Sequence, residues 1–253
     1  MKFDYLGDNF ERSLAPFFSP RMLSVTFRSI LILGVLLLVF WPRKEFFLYI
    51  EGHELPMIFF HVFVAALLIS SYVNLRCGRG EIYTERFFYK LENREAVTFE
   101  QERDFISYGL AGGLLHTIFL LIFLIPILIV PAGMSGVSLQ IFILALSIIF
   151  VSSLLCRLFG FLMVPFYGRW RWFGYYGTRF FFILFMFGTI YFAPFLNPII
   201  TIRHVYLGEE SFSGSPVTPY AVFMFAVIVM ILLLILANQV IVRRGTMRRW
   251  RGT

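Results

Sequence analysis

Charged residues are scarce in this 253-residue chain, where Asp, Glu, Lys and Arg make up only 15%, against about 25% in typical soluble domains. Hydrophobic residues make up 59% of the chain, and the mean hydropathy is +0.80. A water-soluble core cannot absorb so many apolar side chains. The composition therefore excludes a soluble globular fold and indicates an integral membrane protein.

Three further absences narrow the class of function. The chain has two cysteines, both near span ends that we place in the cytoplasm below, so we expect no disulfide. No G-x-x-x-x-G-K-[ST] loop is present to hold the phosphates of a nucleotide, so we expect no ATP hydrolysis by this chain. No Asp or Glu lies inside a predicted span, which disfavours ion-coupled transport. The first residues also lack the pattern of a cleaved signal peptide.

Apolar runs of about 20 residues, the length needed to cross the hydrocarbon as a helix, recur along the chain. They lack the alternation of barrel strands, so the predicted fold is an all-α bundle. We predict six transmembrane helices, at Leu23–Trp41, Pro56–Leu75, Phe105–Val130, Ser138–Leu158, Thr178–Ile200 and Pro219–Ile241.

The distribution of arginine predicts the topology. Arg157–Arg179 contains four arginines and no acid, and the basic tail at residues 243–253 contains five arginines. Excess Lys and Arg marks the cytoplasmic side of a membrane. Both chain ends are therefore expected in the cytoplasm, and the net charge of +7 is interpreted as topology and contact with anionic lipids rather than with nucleic acid.

Two segments outside the spans carry mixed residues. Residues 1–22 combine phenylalanines with polar residues and prolines, which favours a segment lying in the membrane interface; an unstructured tail is the alternative. Arg76–Asp104 contains six bases and seven acids among aromatic residues, and Thr98 to Gln101 resembles a helix start signal. This long loop is interpreted either as a solvated charged face or as a docking surface for another protein.

The fifth span ends in Ala193-Pro194-Phe195-Leu196-Asn197-Pro198, where two prolines remove backbone donors and must bend or break the helix. Residues 199–218 then suit a short re-entrant hairpin on the outer side. Irregular backbone at membrane depth is tolerated where it is buried in protein or lines a cavity. The break is therefore a candidate for part of a transport pathway, and an ordinary kink is the alternative.

Candidates for catalysis are weak. Gly133-Met134-Ser135-Gly136 matches the G-x-S-G of rhomboid proteases, but the last span offers no histidine as general base, so we interpret both glycines as turn residues. His61 and His116 lie within spans, and hydrogen bonds between helices are their expected role rather than ligation of a metal. We predict no catalytic residue and no metal site.

The layout as a whole resembles the membrane subunit of type-2 ABC exporters, the ABC-2 permease family. The features shared are an interfacial N-terminal segment, six spans, a long loop after the second span and a broken fifth span. The most specific part is Arg79-Gly80-Glu81-Ile82-Tyr83-Thr84-Glu85 with Val97–Gly109, which is similar to that family's charged cytoplasmic loop and the short helix before its third span.

The resemblance implies a coupling helix within residues 76–104 that docks into a separate ATPase subunit carrying ATP and Mg²⁺. It also implies a second, identical or different permease chain, an inner-membrane location and a substrate path near the outer end of the fifth span. The coupling residues it implies are Arg79, Glu81, Glu85, Arg86 and Glu100, and the pathway residues are Tyr191, Phe195 and Asn197.

The leading interpretation is thus a permease subunit, not itself an enzyme, that moves a lipidic or amphipathic substrate. The cargo class is suggested by the aromatic content of 19%. The alternative is a membrane scaffold or assembly subunit that binds partners through residues 76–104 and transports nothing.

Overall fold

In a computed structural model, residues 20–41, 55–78, 99–167, 171–207 and 217–250 are described, and this part of the chain is almost entirely helical with no strand. The helices are α1 (Pro20–Val39), α2 (Leu55–Gly78), α3 (Phe99–Met134), α4 (Leu139–Tyr167), α5 (Arg171–Ile183), α6 (Thr189–Phe192), α7 (Pro198–Leu207) and α8 (Val217–Trp250). A π-helical segment, Leu184–Gly188, joins α5 to α6, and a 3₁₀ turn, Pro194–Leu196, precedes α7.

Six helical stretches are long and apolar enough to cross a membrane, which confirms the predicted multi-pass architecture. They are Pro20–Val39, Ile58–Gly78, Leu114–Met134, Leu139–Met163, Trp172–Phe192 and Thr218–Val240. The helices exceed the predicted spans at several ends because a helix can continue past the hydrocarbon, where hydropathy no longer marks it. α3 is the clearest case, since it is one continuous helix of 36 residues that starts at Phe99.

The centre of the bundle is α2, packed against α4. In α2 61% of the span residues are buried, against 11% in α8 and 22% in α1. The core contains large apolar side chains such as Phe59, Phe63 and Leu67 of α2 and Ile148 of α4. α2 is therefore the helix that most of the bundle surrounds, whereas α1, α5 and α8 lie at its periphery.

Contacts between helices define the two ends of the bundle. Gly78 at the end of α2 lies against Arg157 near the end of α4, and Asn238 near the end of α8 contacts the Leu158 carbonyl. At the opposite end Phe40, after α1, stacks on His61 near the start of α2. We call the first end the arginine-rich end, because arginines occur towards the ends of α2, α4 and α8 and at the start of α5. We call the opposite end the far end.

The turn between α3 and α4 lies at the far end. The Gly136 amide donates to the Gly133 carbonyl at 3.2 Å, and Gly136 has a φ of +62°, a conformation that favours glycine. The G-x-S-G sequence is thus a helix–helix turn, as predicted.

Candidate functional site

A cluster of buried polar side chains joins α2, α3 and α4 near the arginine-rich end. Its members are Ser70, Asn74 and Cys77 of α2, His116 and Thr117 of α3, and Ser153 and Arg157 of α4; we call it the polar cluster, and each member is at most 2% exposed. Polar residues inside membrane-spanning helices are costly unless they hydrogen-bond one another. The cluster is therefore the most polar part of the described interior.

Asn74 is the centre of the polar cluster. Its amide nitrogen donates to the Ser70 carbonyl at 3.0 Å, and its Oδ1 accepts from the Thr117 hydroxyl at 3.0 Å. These two bonds fix the orientation of the amide. The Ser70 and Ser153 hydroxyls share a further hydrogen bond of 2.8 Å between α2 and α4. A single amide thus ties the end of α2 to α3.

His116 lies between two groups that compete for one ring nitrogen. Its Nδ1 is 3.1 Å from Asn74 Oδ1 and 3.1 Å from Arg157 Nη1. The guanidinium only donates, Asn74 Oδ1 only accepts, and Nδ1 of a neutral imidazole does one or the other. The tautomer of His116 therefore decides whether its Nδ1 bonds to Asn74 of α2 or to Arg157 of α4, while the bond from Thr117 to Asn74 joins α3 to α2 in either case.

The Cys77 thiol approaches the other ring nitrogen of His116, with Sγ 3.9 Å from Nε2. A thiol, an imidazole and an amide in sequence resemble the arrangement of cysteine hydrolases. Cys77 and His116 are, however, fully buried, so no substrate reaches them in this arrangement. The described residues contain no group of three metal ligands, and neither Cys77 nor Cys156 forms a disulfide. The cluster is thus suited to joining helices rather than to chemistry.

Arg157 was counted above among the arginines that mark the cytoplasmic end of the fourth span, but the structure buries it in the bundle. α4 continues to Tyr167, and Arg157 is 2% exposed inside the bundle. A signal was present in the sequence, because Ser70, Asn74 and Cys77, like Ser153 and Arg157, recur at helical spacing and so share one face of a helix. The interpretation of His116 as a helix–helix contact is confirmed.

The two histidines inside spans provide a direct test of the polar cluster. Replacing His116 with Ala removes its bonds to Asn74 and Arg157 and leaves a cavity, so we expect a loss of about 2 kcal/mol in stability. His61→Ala is the matched control, because His61 is an exposed residue for which we expect a change within about 0.5 kcal/mol. Thermal unfolding in detergent measures both. Equal melting temperatures for the two variants would contradict the role given to His116.

The second feature is the predicted break at the outer end of the fifth span, which the structure contains. α6 ends at Phe192, and Ala193 has φ −152° and ψ 71°, outside the helical region. The chain then forms the 3₁₀ turn and re-enters helical geometry in α7. α7 begins the outer segment predicted at residues 199–218, whose later part, 208–216, lies outside the described residues.

Asn197 holds the break together and is fully buried. Its Oδ1 accepts from the Ile200 amide at 3.0 Å as the N-cap of α7. Its amide nitrogen donates to the Met186 carbonyl at 3.0 Å and to the Thr189 hydroxyl at 2.8 Å. One side chain therefore ties α7 back to the π-helical segment, and this role differs from direct contact with a substrate.

The other two predicted pathway residues, Tyr191 and Phe195, are exposed, in contrast to the buried Asn197. Tyr191 is 84% exposed and Phe195 is 55% exposed, with Phe192 beside them at 84%. The structure therefore does not bring Tyr191 and Phe195 together with Asn197 in one polar site. It presents them as an aromatic surface at the far end, the setting in which aromatic rings favour a membrane interface.

α7 is further fixed to the bundle by Tyr206. Its ring lies 4.9 Å from that of Phe59 in α2, and its hydroxyl is hydrogen-bonded to Ser135 in the turn after α3. Burial raises the pKa of the Tyr206 phenol, and the bond from Ser135 acts in the opposite direction. α7 is thus a fixed part of the far end rather than a loose connection.

Of the five predicted coupling residues, Glu100 alone lies in the described part of the chain. Arg79, Glu81, Glu85 and Arg86 lie outside the described residues, as do residues 1–19 of the predicted interfacial segment. Glu100 lies in the first turn of α3. α2 ends at Gly78 and α3 begins at Phe99, so the four other predicted coupling residues lie in the sequence between these two helices. The polar cluster binds these same two helices to each other and to α4.

Comparisons of the chain with protein-family models, with curated proteins and with solved structures find no match.

Proposed function

We propose that this chain is the transmembrane subunit of an ATP-driven transporter of the type-2 ABC exporter class, with ATP hydrolysis on a separate chain. The observation that carries the proposal is the broken fifth span. A π-helical segment, a 3₁₀ turn and α7 replace its regular outer end, and the buried Asn197 holds them as one unit. Such irregular backbone is expected where a membrane protein gates a path between its two sides.

Support for a second permease chain comes from the peripheral helices. α1 exposes Phe27, Leu31 and Leu38, and α8 exposes Phe225 and Leu233, each by more than half. The proposal assigns part of this surface to the second chain and the remainder to lipid.

Coupling in this proposal runs from the loop after α2 into the bundle. A partner ATPase that moves this loop pulls on the end of α2 and the start of α3. Asn74 lies on α2 and accepts from Thr117 of α3, and His116 of α3 lies 3.1 Å from Arg157 Nη1 of α4. The polar cluster thereby transmits the displacement of the loop to α4.

The proposed orientation places both chain ends and the arginine-rich end in the cytoplasm of a bacterium, with the chain in the inner membrane. The proposed cargo is lipidic or amphipathic. The exposed aromatic side chains of Tyr191, Phe192 and Phe195 at the far end support that class, because aromatic rings bind apolar chains and headgroups alike.

The first experiment is purification of the full chain from its native membrane in mild detergent, followed by mass spectrometry of the soluble proteins that accompany it. We expect a stoichiometric ATP-binding subunit that is lost when residues 79–98 are deleted. A folded chain that purifies with no nucleotide-binding partner would contradict the proposal and favour the scaffold.

Charge reversal tests the coupling residues more finely. Glu81→Lys, Glu85→Lys and Arg86→Glu are expected to lower ATP-driven transport in reconstituted vesicles at least tenfold without changing the melting temperature, because each reverses a charge at a docking surface. Arg203→Glu is the matched control, since Arg203 is an exposed residue of α7 at the other end of the bundle. Unchanged transport in all three loop variants would remove this assignment.

A further inference from the structure

The side of the bundle where α2 meets α5 carries a pair of arginines on aromatic rings. The Tyr72 ring of α2 meets the Phe182 ring of α5 edge to face, with centroids 5.4 Å apart. Arg76 follows Tyr72 by four residues, and Arg179 and Tyr175 precede Phe182 by three and seven, so each set shares one helix face. Because α2 runs towards the arginine-rich end and α5 runs away from it, the two arginines lie about one turn beyond the ring contact, at a similar depth.

Both guanidinium groups are held against tyrosine rings of their own helix. Arg179 Cζ lies 3.4 Å from the Tyr175 centroid, and its Nη1 donates to the Tyr175 carbonyl at 3.2 Å. Arg76 Cζ lies 5.9 Å from the Tyr72 centroid. Stacking occupies the flat face of a guanidinium, whereas the planar fork of N–H donors matches the oxygens of a phosphate. Both arginines are partly exposed.

Exposed aromatic rings lie beside Arg179 on the same helix, since Trp172 and Tyr176 precede it by seven and three residues. Trp172 is 76% and Tyr176 51% exposed, and their rings pack with centroids 4.5 Å apart. Amphipathic rings of this kind are enriched at the level of lipid headgroups. Residues 157–179 also contain no acid, so this stretch contributes no negative charge that would repel an anion.

An apolar stripe continues from the arginine pair into the membrane-spanning part of α5 and the π-helical segment. Phe180, Ile183 and Phe187 are exposed by 66%, 57% and 44%, and their spacing places them on one side of the helix. A ligand that fits this surface carries a negative headgroup and an apolar tail of membrane length.

We propose that the surface formed by Arg76, Tyr72, Arg179, Tyr175 and Trp172 binds an anionic phospholipid. The phosphate lies between the two guanidinium groups, and an acyl chain follows the stripe of Phe180, Ile183 and Phe187. This inference does not depend on the proposed transport function. Each arginine contributes about a fivefold preference for anionic over zwitterionic lipid, the usual effect of one basic residue at a membrane surface.

Native mass spectrometry of the full chain in detergent tests the site with two added lipids, phosphatidylglycerol and phosphatidylcholine of the same chain length. We expect the wild type to retain phosphatidylglycerol preferentially, Arg76→Gln and Arg179→Gln each to lower that preference about fivefold, and the double variant to abolish it. Tyr175→Leu keeps both charges and removes the stacking ring, so we expect a smaller loss.

Arg203→Gln is the control, because it removes an exposed arginine of α7 at the far end and is expected to leave the preference unchanged. A double variant that retains the wild-type preference, or a control that loses as much, would overturn the site. If the double variant does not fold, the two single variants decide the matter. Displacement of the lipid by millimolar inorganic phosphate, together with no dependence on acyl chain length, would identify a phosphate site and overturn the assignment to a lipid.

Discussion

Gly78→Ala is expected to destabilise this protein more than the addition of a methyl group at any other position in the described bundle. A Cβ on Gly78 would lie far inside van der Waals contact of the Arg157 carbonyl oxygen and 3.0 Å from the Phe161 amide nitrogen. Both atoms belong to the backbone of α4, so no side-chain rotation relieves the overlap. α2 and α4 would have to move apart, at a net cost of about 2–4 kcal/mol, even though alanine favours helix by about 1 kcal/mol relative to glycine.

The measurement is thermal unfolding of the purified protein in one detergent, where we expect the melting temperature to fall by about 5 °C or more. Gly34→Ala in α1 is the matched control, since a Cβ there meets nothing within 4 Å, and we expect it to be neutral or slightly stabilising. Similar melting temperatures for the two variants would show that α2 and α4 do not approach so closely.

The second large effect is expected from Asn197→Ala. This change removes the N-cap bond to the Ile200 amide and leaves the Met186 carbonyl and the Thr189 hydroxyl without the amide that binds them. Three hydrogen bonds of one buried side chain lost together correspond to about 3 kcal/mol. Because these bonds hold α7 to the π-helical segment, we also expect faster amide hydrogen exchange in residues 198–207.

Asn238→Ala is the control for Asn197, because Asn238 is also buried in a span but donates only to the Leu234 carbonyl at 2.9 Å and the Leu158 carbonyl at 3.4 Å. We expect a loss of about 1 kcal/mol there. Asn197→Ser retains an oxygen for the cap and should recover part of the loss. Exchange that rises equally in α7 for both alanine variants would contradict the specific role of Asn197.

The sequence predicted those parts of the fold that depend on local composition. Six apolar runs predicted the six spans, and Pro194 and Pro198 predicted the break in the fifth. Proline lacks a backbone N–H donor and therefore interrupts a helix at its own position. Hydropathy alone predicted helix ends less well, although the start signal at Thr98 to Gln101 agrees with the start of α3 at Phe99. Outside the hydrocarbon no hydropathy signal marks where its helix begins.

The polar cluster was only partly predictable. Its members on different helices are joined across 39 to 83 residues of sequence, and no local pattern indicates which helices become neighbours. The role of His116 followed from the cost of a polar group in an apolar span. The burial of Arg157 was not predictable, because an arginine near the end of a span is ordinarily expected to extend towards the headgroups. The partners that offset its burial come from α3.

The length of α3 has a mechanical consequence. Its 36 residues correspond to about 54 Å of helix, whereas the hydrocarbon is about 30 Å thick. Residues 99–113, which precede His116 and Thr117 in the same helix, form an N-terminal arm of about 22 Å along the helix axis. His116 and Thr117 lie at the root of this arm, where the polar cluster acts as a pivot. A sideways force on Phe99 is therefore applied to Asn74 and Arg157 with the leverage of four helical turns.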